Sequence, residues 1–475
     1  SSLLQAQAPG PNKWGVAALV ANWGMDQLLN KTITVHMGSQ AVTYQEMPNG
    51  EFMPPAGITT QLVRLSNKTY ELRERFGTVW KFDNQNRIAS IVDVDGKIMS
   101  FTYNGDGRLA QVRDAHSRIL FLRYTNDSLV QAYDSTYHSV SYVQANGNLA
   151  GVAGLDGDNW LYEYDNLHRL LKVTNPVGVK IVQNTYNDFD RVTAQFAPRD
   201  TGMETYKMHY GGFVASEEDP EGNRTTYHFD LDGRRVAMED ALHNTSRMAY
   251  DGQGNVISQT DPRNNLSTFV YDGFGNLKEQ INGRGEKVTF AYDMQHRLVE
   301  ATGPLNQKVT YKHNAKHRIT DRTDPLGHIV KTTYLANGLV NTLTDPRAID
   351  TVYSYDTHGY VDTSQSSTNP VINWNYDIRG NLESLVDQKG AKTSFVYYNN
   401  GLLKERLDPL GKKSLYEYTA AGEVKKSTDR NNKTTQFSYT DSGKLKGISY
   451  PGSAVNFYYD ARDNLVEMID PTGTT

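Results

Sequence analysis

The stretch Tyr271-Asp272-Gly273-Phe274-Gly275-Asn276-Leu277 decides how this chain is read. It consists of an aromatic, an acid, two variable residues, a small residue, Asn, and an aliphatic. Tyr250-Asp251-Gly252-Gln253-Gly254-Asn255-Val256 precedes it by 21 residues, and Tyr292-Asp293-Met294-Gln295-His296-Arg297-Leu298 follows it by 21. With the aromatic as marker, the same phase holds Phe229, Tyr334, Tyr355, Tyr376, Tyr397, Tyr418 and Tyr439. Upstream, Phe82, Tyr103 and Tyr124 keep the step. His313 fills one slot in place of an aromatic, Tyr142, Tyr164, Tyr186 and Tyr210 drift, and Tyr459 comes one residue early. Self-similarity at a fixed period marks a repeat array.

A second signal lies half a repeat away, in Asp219-Pro220-Glu221-Gly222, Asp324-Pro325-Leu326-Gly327 and Asp408-Pro409-Leu410-Gly411. Pro presets φ at the second turn position, Asp bonds the backbone two residues on, and Gly accepts the last position. The Asp-x-x-Gly after each marker is the same device without Pro. Between turns lie short alternating runs such as Val288-Thr289-Phe290-Ala291-Tyr292. Such runs read as half-buried strands, and turns arrive too often for helices. The predicted fold is all-β, an antiparallel meander with two strands per repeat. About 38 strands at about 4.8 Å each make a ribbon about 180 Å wide. Open sheets curl long before that width, so a spiral around a hollow interior is expected, on the order of 60 Å across if bent into one ring.

Two domains are predicted. Residues 1–75 lack the repeat. Thr32 to His36 reads as a strand, Pro54, Pro55 and Gly57 mark a turn, and Asn12 to Met25 mixes apolar and small residues. We expect an irregular cap with a few strands over the first sheet edge. Residues 76–475 form the repeat array, with bulges or longer loops between Tyr124 and Tyr210, where the spacing is uneven. A β-propeller lectin or glycan-active enzyme is the alternative from another class, because two repeats would make one four-stranded blade. Neighbouring units are equivalent at 21 residues, which argues against it.

Hydrophobic residues make up 38% of the 475, and Tyr alone contributes 30 residues. That is lean for a globular domain and suits a thin wall. Tyr fits such a wall because its ring is buried while its hydroxyl stays wet. The net charge of −5 and the absence of a basic run argue against a nucleic-acid partner. The chain has no Cys, so disulfides and thiolate metal sites are excluded. No apolar run is long enough to span a membrane. The opening Ser1-Ser2, without Met, reads as a processed or excised piece.

Motifs for catalysis are nearly absent from the sequence. Gly447-Ile448-Ser449-Tyr450-Pro451 approaches a nucleophile elbow but ends in Pro. His116, His168, His296 and His358 occupy variable turn slots and read as exposed turn residues. Asp93-Val94-Asp95-Gly96 and Asp230-Leu231-Asp232-Gly233 lack the full ligand series of a calcium loop. The repeat phase explains the many Asp residues as turn formers rather than glycosidase pairs. No catalytic, cofactor or metal residue is assigned. The residues singled out are the turn formers: Tyr250, Asp251, Tyr271, Asp272, Gly275, Tyr292, Asp293, Asp219, Pro220, Gly222, Asp324, Pro325, Gly327, Asp408, Pro409 and Gly411.

These motifs resemble the RHS/YD-repeat family, whose hallmark is Tyr-Asp-x-x-Gly-Arg-Leu followed by Asp-Pro-x-Gly. The resemblance covers roughly four fifths of the chain. It implies a hollow β-shell of the kind found in bacterial polymorphic toxins, the C component of insecticidal toxin complexes, wall-associated surface proteins and teneurins. In the toxin branches the shell encloses a C-terminal toxin. This sequence departs from those branches: their core-terminating block is not found, and Asp470-Pro471-Thr472-Gly473 reads as an ordinary repeat turn. The array is expected to continue past Thr475, or a partner to cover that edge. The expected function is a non-enzymatic shell segment of a secreted or surface-exposed protein. It would serve as an adhesion scaffold or as a cocoon around a C-terminal polypeptide, with a toxin-delivery shell as the alternative. Expected partners are that polypeptide or a cell-surface or glycan ligand, with edge-to-edge self-association; no cofactor, nucleic acid or membrane span is expected.

Overall fold

The computed structural model describes residues 31–474 except Ser39 and Tyr137. The Asn12–Met25 segment lies outside the described residues. The described chain is almost entirely strand. The exception to strand and turn is one short 3-10 segment, Leu155–Gly157. A three-stranded sheet (Thr32–Met37, Gln40–Glu46, Phe52–Met53) is followed by one sheet of 41 strands, from Gln61–Arg64 to Gly473–Thr474. Every strand of the long sheet pairs antiparallel with its neighbours in sequence, and no ladder joins the first to the last among the described residues. The ladder is continuous, with no break between blades. The propeller alternative therefore fails.

The two kinds of turn use one chemistry. In the Tyr271 unit, Asp272 N donates to the Asn276 carbonyl (2.9 Å) and Gly275 N to the Asp272 carbonyl (3.1 Å). Asp272 Oδ1 accepts from the amides of Phe274 and Asn276, both at 2.9 Å, and Oδ2 accepts from Asn276 Nδ2 at 2.7 Å. The carboxylate thus takes up amides that a turn otherwise leaves to water. Gly275 sits at φ +79°, where a Cβ is strained. The proline turn at Asp324 repeats the pattern: Oδ1 accepts from Leu326 N and His328 N at 2.9 Å. Asp219 and Asp408 do the same, and Gly222, Gly327 and Gly411 all have positive φ.

The marker Tyr ties consecutive repeats together. Tyr271 Oη donates to the Val256 carbonyl at 3.0 Å, and Tyr292 Oη to Leu277 O and Tyr250 Oη to Arg235 O, both at 2.9 Å. In each of these the acceptor is the backbone just beyond the previous turn, a tie that the Phe markers at 82 and 229 cannot make. Where Arg replaces Asn in the turn it adds a second tie. Arg297 pairs with Asp293 and reaches the Asn314 carbonyl of the next turn at 2.8 Å. Arg87 lies 4.1 Å from the ring centre of the next marker, Tyr103.

A register shift accompanies each of these turns, as between Val270 and Tyr271 and between Ala291 and Tyr292. A bulge bends and twists its strand, and one bulge in the same place in every repeat gives steady curvature. Between Tyr124 and Tyr210 the structure has the expected bulges, as between Val143 and Gln144 and between Val173 and Thr174, but not longer loops. The drift arises from two-residue hairpins such as Asn126-Asp127 and Asn146-Gly147, whose residues all have positive φ, joined to longer strands such as Gly202–Gly211.

The wall is one sheet thick. Total accessible area is 29407 Å², against about 18,000 Å² for a compact monomer of this mass. Among described residues the buried apolar side chains are Val35, Val42, Tyr44, Phe52, Leu62, Leu72 and Ala197. All but Ala197 form one cluster, in which the small sheet packs on a face of the first strands of the long one, beside Trp80 and Phe82. The N-terminal sheet was expected over the edge, but its apolar side chains lie on the face. The long sheet also starts at Gln61, ahead of the boundary expected at residue 75. Its first turn uses Lys68 at φ +66° in place of Gly, so the repeat signature is not visible there.

Two outcomes follow. Tyr271→Phe is expected to remove one hydrogen bond and lower local stability by about 1 kcal/mol, read as faster amide exchange around residues 256–277 with remote repeats unchanged. Hydrogen bonds from the Asn four residues on hold the carboxyls of Asp240, Asp251, Asp261 and Asp460 below the usual range. A depressed folded pKa means stability that is complete above the unfolded value, about 4, and lost as pH falls through the folded one. Circular dichroism is expected to show a flat plateau above about pH 5 and loss of the array below about pH 4.

Candidate functional site: a seam between successive winds

Turns alternate between the two long sides of the ribbon. The turns that follow a marker strand form a tyrosine rim, and the others form a proline rim. Contacts between residues 200 or more apart all join the proline rim of the first half to the tyrosine rim of the second. Arg75 Nη1 donates to Asn276 Oδ1 at 2.9 Å. Asp95 takes Lys316 Nζ at 3.0 Å and Arg318 Nη1 at 2.9 Å. Arg118 Nη1 donates to Tyr360 Oη at 2.7 Å, and His116 faces the Thr357 carbonyl. Asn400 N donates to Asp156 Oδ2 at 3.0 Å. Lys446 Nζ meets Asp200 Oδ1 at 2.8 Å, and Arg462 Nη2 meets Glu221 Oε2 at 3.0 Å.

These pairs define a seam. The sheet winds back on itself and lays one rim on the opposite rim of the next wind. The sequence separation across the seam grows from 201 at Arg75 to 242 at Arg118 and 246 at Asp200. At two strands per 21 residues, a separation of 242 is about 23 strands, or about 110 Å of wall and about 35 Å of diameter. The chain forms the expected spiral, and it winds nearly twice at about 35 Å, narrower than the roughly 60 Å that a single ring would take. Curvature from the repeated bulge, with the right-handed sheet twist, coils the ribbon before its ends can meet.

The seam is tight at particular points. Asp95 has 1% of its side chain exposed between its two cations. A Cβ on Gly338 would run into Asp95 and Arg318, and one on Gly359 into the His116 ring. The bond to Asp200 holds the Lys446 ammonium above its usual range. Asp95, in a turn whose sequence lacks the full ligand series of a calcium loop, is taken up by the seam ion pair. His116 and His296 are half-buried rather than exposed: His116 lies at the seam, and His296 lies 4.4 Å from the Phe274 ring. His168 is exposed and faces Asn148 Oδ1 at 3.0 Å.

The predicted turn residues fall on both rims, and most have no part in the seam. Asp219 does take part, since Arg462 Nη1 lies 3.6 Å from it. Sequence reasoning missed Arg75, Asp95, Asp200, Lys316, Arg318 and Lys446. Most of these occupy variable turn positions, and which turns meet depends on the length of a wind. Among described residues no group of three or more His, Asp or Glu is placed to hold a metal. Among the described residues no helix is long and apolar enough to cross a membrane.

Comparison with known proteins agrees with this geometry. The RHS Repeat family model matches residues 145–180, 250–287, 271–308 and 292–329. The last three matches step by the repeat length. The crystal structure of TcdB2-TccC3 superposes with TM-score 0.60 at 13% identity, covering 99% of this chain and 32% of that one. TcdB2-TccC3-TEV gives 0.59 at 12% identity, covering 99% and 34%. The Tc holotoxin pore of Photorhabdus luminescens, with a substitution in TccC3, gives 0.50 at 11%, covering 92% and 30%. At such identities the likeness is one of fold, and the chain spans about a third of the length of those chains. No curated protein matches in sequence. The chain carries RHS repeats and folds as an RHS-repeat β-shell.

The seam can be tested by charge. Asp95→Arg leaves Arg318 and Lys316 facing a third cation. Removing one partner of a desolvated pair costs about 3–5 kcal/mol. Amide exchange in the turns 93–97 and 314–318 is expected to rise together, and Arg318→Asp added to Asp95→Arg to restore much of the protection.

Proposed function

We propose that this chain is a non-enzymatic wall segment of a secreted or surface-exposed RHS shell, and that the shell encloses a polypeptide. The observation that carries this is the seam. A ribbon held rim to rim over successive winds makes a continuous wall around a lumen, whereas a scaffold that only presents a surface needs no such closure. The wall offers its contents short alternating strands and hairpins, with no set of convergent reactive groups among the described residues. The fold neighbours that support the reading are complexes of TcdB2 with TccC3. By analogy, the enclosed segment would be a C-terminal polypeptide of the complete protein, and a toxin-delivery shell is the form of enclosure nearest to them.

Enclosure makes a segment inaccessible without folding it. In the full-length protein, a protease is expected to leave the lumenal polypeptide intact under conditions that cut the same polypeptide at once when it is expressed alone. Asp95→Arg is expected to expose it. Cleavage of that polypeptide at equal rates in the intact protein and alone would reject enclosure and return the shell to a scaffold role.

A further inference from the structure

Most seam contacts use carboxylates and cations whose charge is fixed near neutral pH. One hairpin adds two imidazoles. His313 and His317 flank the turn that carries Lys316 and Arg318 to Asp95. His313 stands in the marker slot. In the next repeat the marker hydroxyl bonds the carbonyl 15 residues back, Tyr334 Oη to Ile319 O at 2.7 Å. The matching acceptor for residue 313 is Leu298 O, and an imidazole is shorter than a phenol. The Nδ1 of His313 is buried and has no hydrogen-bond partner. His317, at φ +64°, lays its ring against Phe76 of the other wind, with ring centres 5.7 Å apart, and its Nδ1 is also buried and unpartnered. His116, at the next seam contact, differs because its ring faces the Thr357 carbonyl.

The carboxylates around the two rings are already taken. Beside the hairpin, Asp293 is bonded to Arg297, whose Nη1 reaches the Asn314 carbonyl. Across the seam, Asp95 serves Lys316 and Arg318, Glu74 accepts the Trp80 indole N–H, and Asp93 accepts the amides of Asp95 and Lys97 in its own turn. Arg75 is bonded to Asn276. On the following strand Arg322 lies opposite Tyr311, on the face that carries His313, while Lys312 and Asp321 pair on the other face. On the preceding strand Glu300 is paired with Lys308. Burial, then the Arg297 charge, holds the His313 imidazole below its usual range. Protonating either ring puts a charged N–H in a buried place without an acceptor, among cations.

We infer that this hairpin is an acid-sensitive latch: mild acidification protonates His313 and His317, and the seam lets go first where residues 313–318 meet the turns 74–78 and 93–97. An open seam gives both rings to water, where imidazole takes its proton near pH 6.5, about. A group whose pKa is lower in the closed form contributes stability that is complete above the open-state value and is lost as pH falls through the closed-state value. The carboxylate turns hold down to about pH 4, so the latch releases while the ladder stands. The inference rests on the seam and is independent of whether the lumen holds a polypeptide. A shell that encloses one would open locally at this latch.

Hydrogen exchange read by mass spectrometry on the 475-residue chain tests it, at about pH 7.5 and about pH 5.5, with labelling times scaled for the intrinsic effect of pH on exchange. Exchange in the turns 74–78, 93–97 and 314–318 is expected to rise about tenfold at the lower pH. The turn 199–202, whose seam bond from Asp200 to Lys446 contains no histidine, is expected to stay protected. His313→Tyr with His317→Gln restores the marker and removes both imidazoles, and its exchange is expected to be the same at the two pH values. His317→Gln alone leaves the marker slot untouched and is expected to reduce the rise, which keeps the test decisive if the double variant fails to reach wild-type strand content by circular dichroism. Equal protection of the wild type at both pH values would overturn the proposal. So would a rise that both variants retain in full, or an equal rise at the turn 199–202.

Discussion

A sheet with almost no core has to be held at its turns. The interaction on which the rest depends is an Asp carboxylate closed over the amides of its own turn. Asp272, Asp293 and Asp324 each accept backbone amides two and four residues on. In a globular domain such a turn contributes modestly beside the apolar burial. Here the buried apolar cluster is confined to the first strands and the N-terminal sheet. The remaining repeats are stabilised by the ladder, half-buried cross-strand pairs and these turns. Stability in such an array is nearly a sum of repeat terms and nearest-neighbour terms. The Tyr271 hydroxyl on Val256 O and the Arg297 guanidinium on Asn314 O are nearest-neighbour terms.

From the turn the architecture follows in order. A five-residue hairpin with a register shift bends each unit the same way. Repetition turns the bend into a spiral, and the spiral brings distant turns together. Only then do the variable turn residues matter, because the wind length fixes which of them meet. Many of the side chains that make the shell continuous therefore lie outside the repeat consensus, although Asn276, Arg318 and Asp219 belong to it. The consensus builds the wall, and variable positions such as Asp95, Lys316 and Lys446 fasten it.

This division sets what the sequence could reveal. Strand class, antiparallel meander, turn positions and hollow architecture were legible, because Tyr271–Leu277 and Asp324–Gly327 state the local geometry many times over. The diameter was not legible. It depends on twist and bulge per step, and strand count alone gives only the roughly 60 Å of a single ring, whereas the spiral makes nearly two narrower winds. The seam was invisible for the same reason, since pairing Asp95 with Arg318 requires the number of strands in a wind. The hairpins at Asn126-Asp127 and Asn146-Gly147 carry a signal in their Asn-Asp and Asn-Gly tips, whereas the drift in spacing alone points to bulges or longer loops without separating them. The start of the sheet at Gln61 was hidden because Lys68 stands where later turns use Gly.

The central claim is that the ribbon returns on itself after about 23 strands. The chain has no Cys, so two spin labels can be placed cleanly, at Ser117→Cys and Thr357→Cys, and their separation measured by pulsed electron resonance. In the structure the neighbouring His116 ring lies 3.4 Å from the Thr357 carbonyl. A spiral closed by the seam predicts a narrow distance distribution under about 20 Å, whereas an open ribbon places the same labels about 110 Å apart along the sheet. A broad or long distribution in the folded protein would contradict the account.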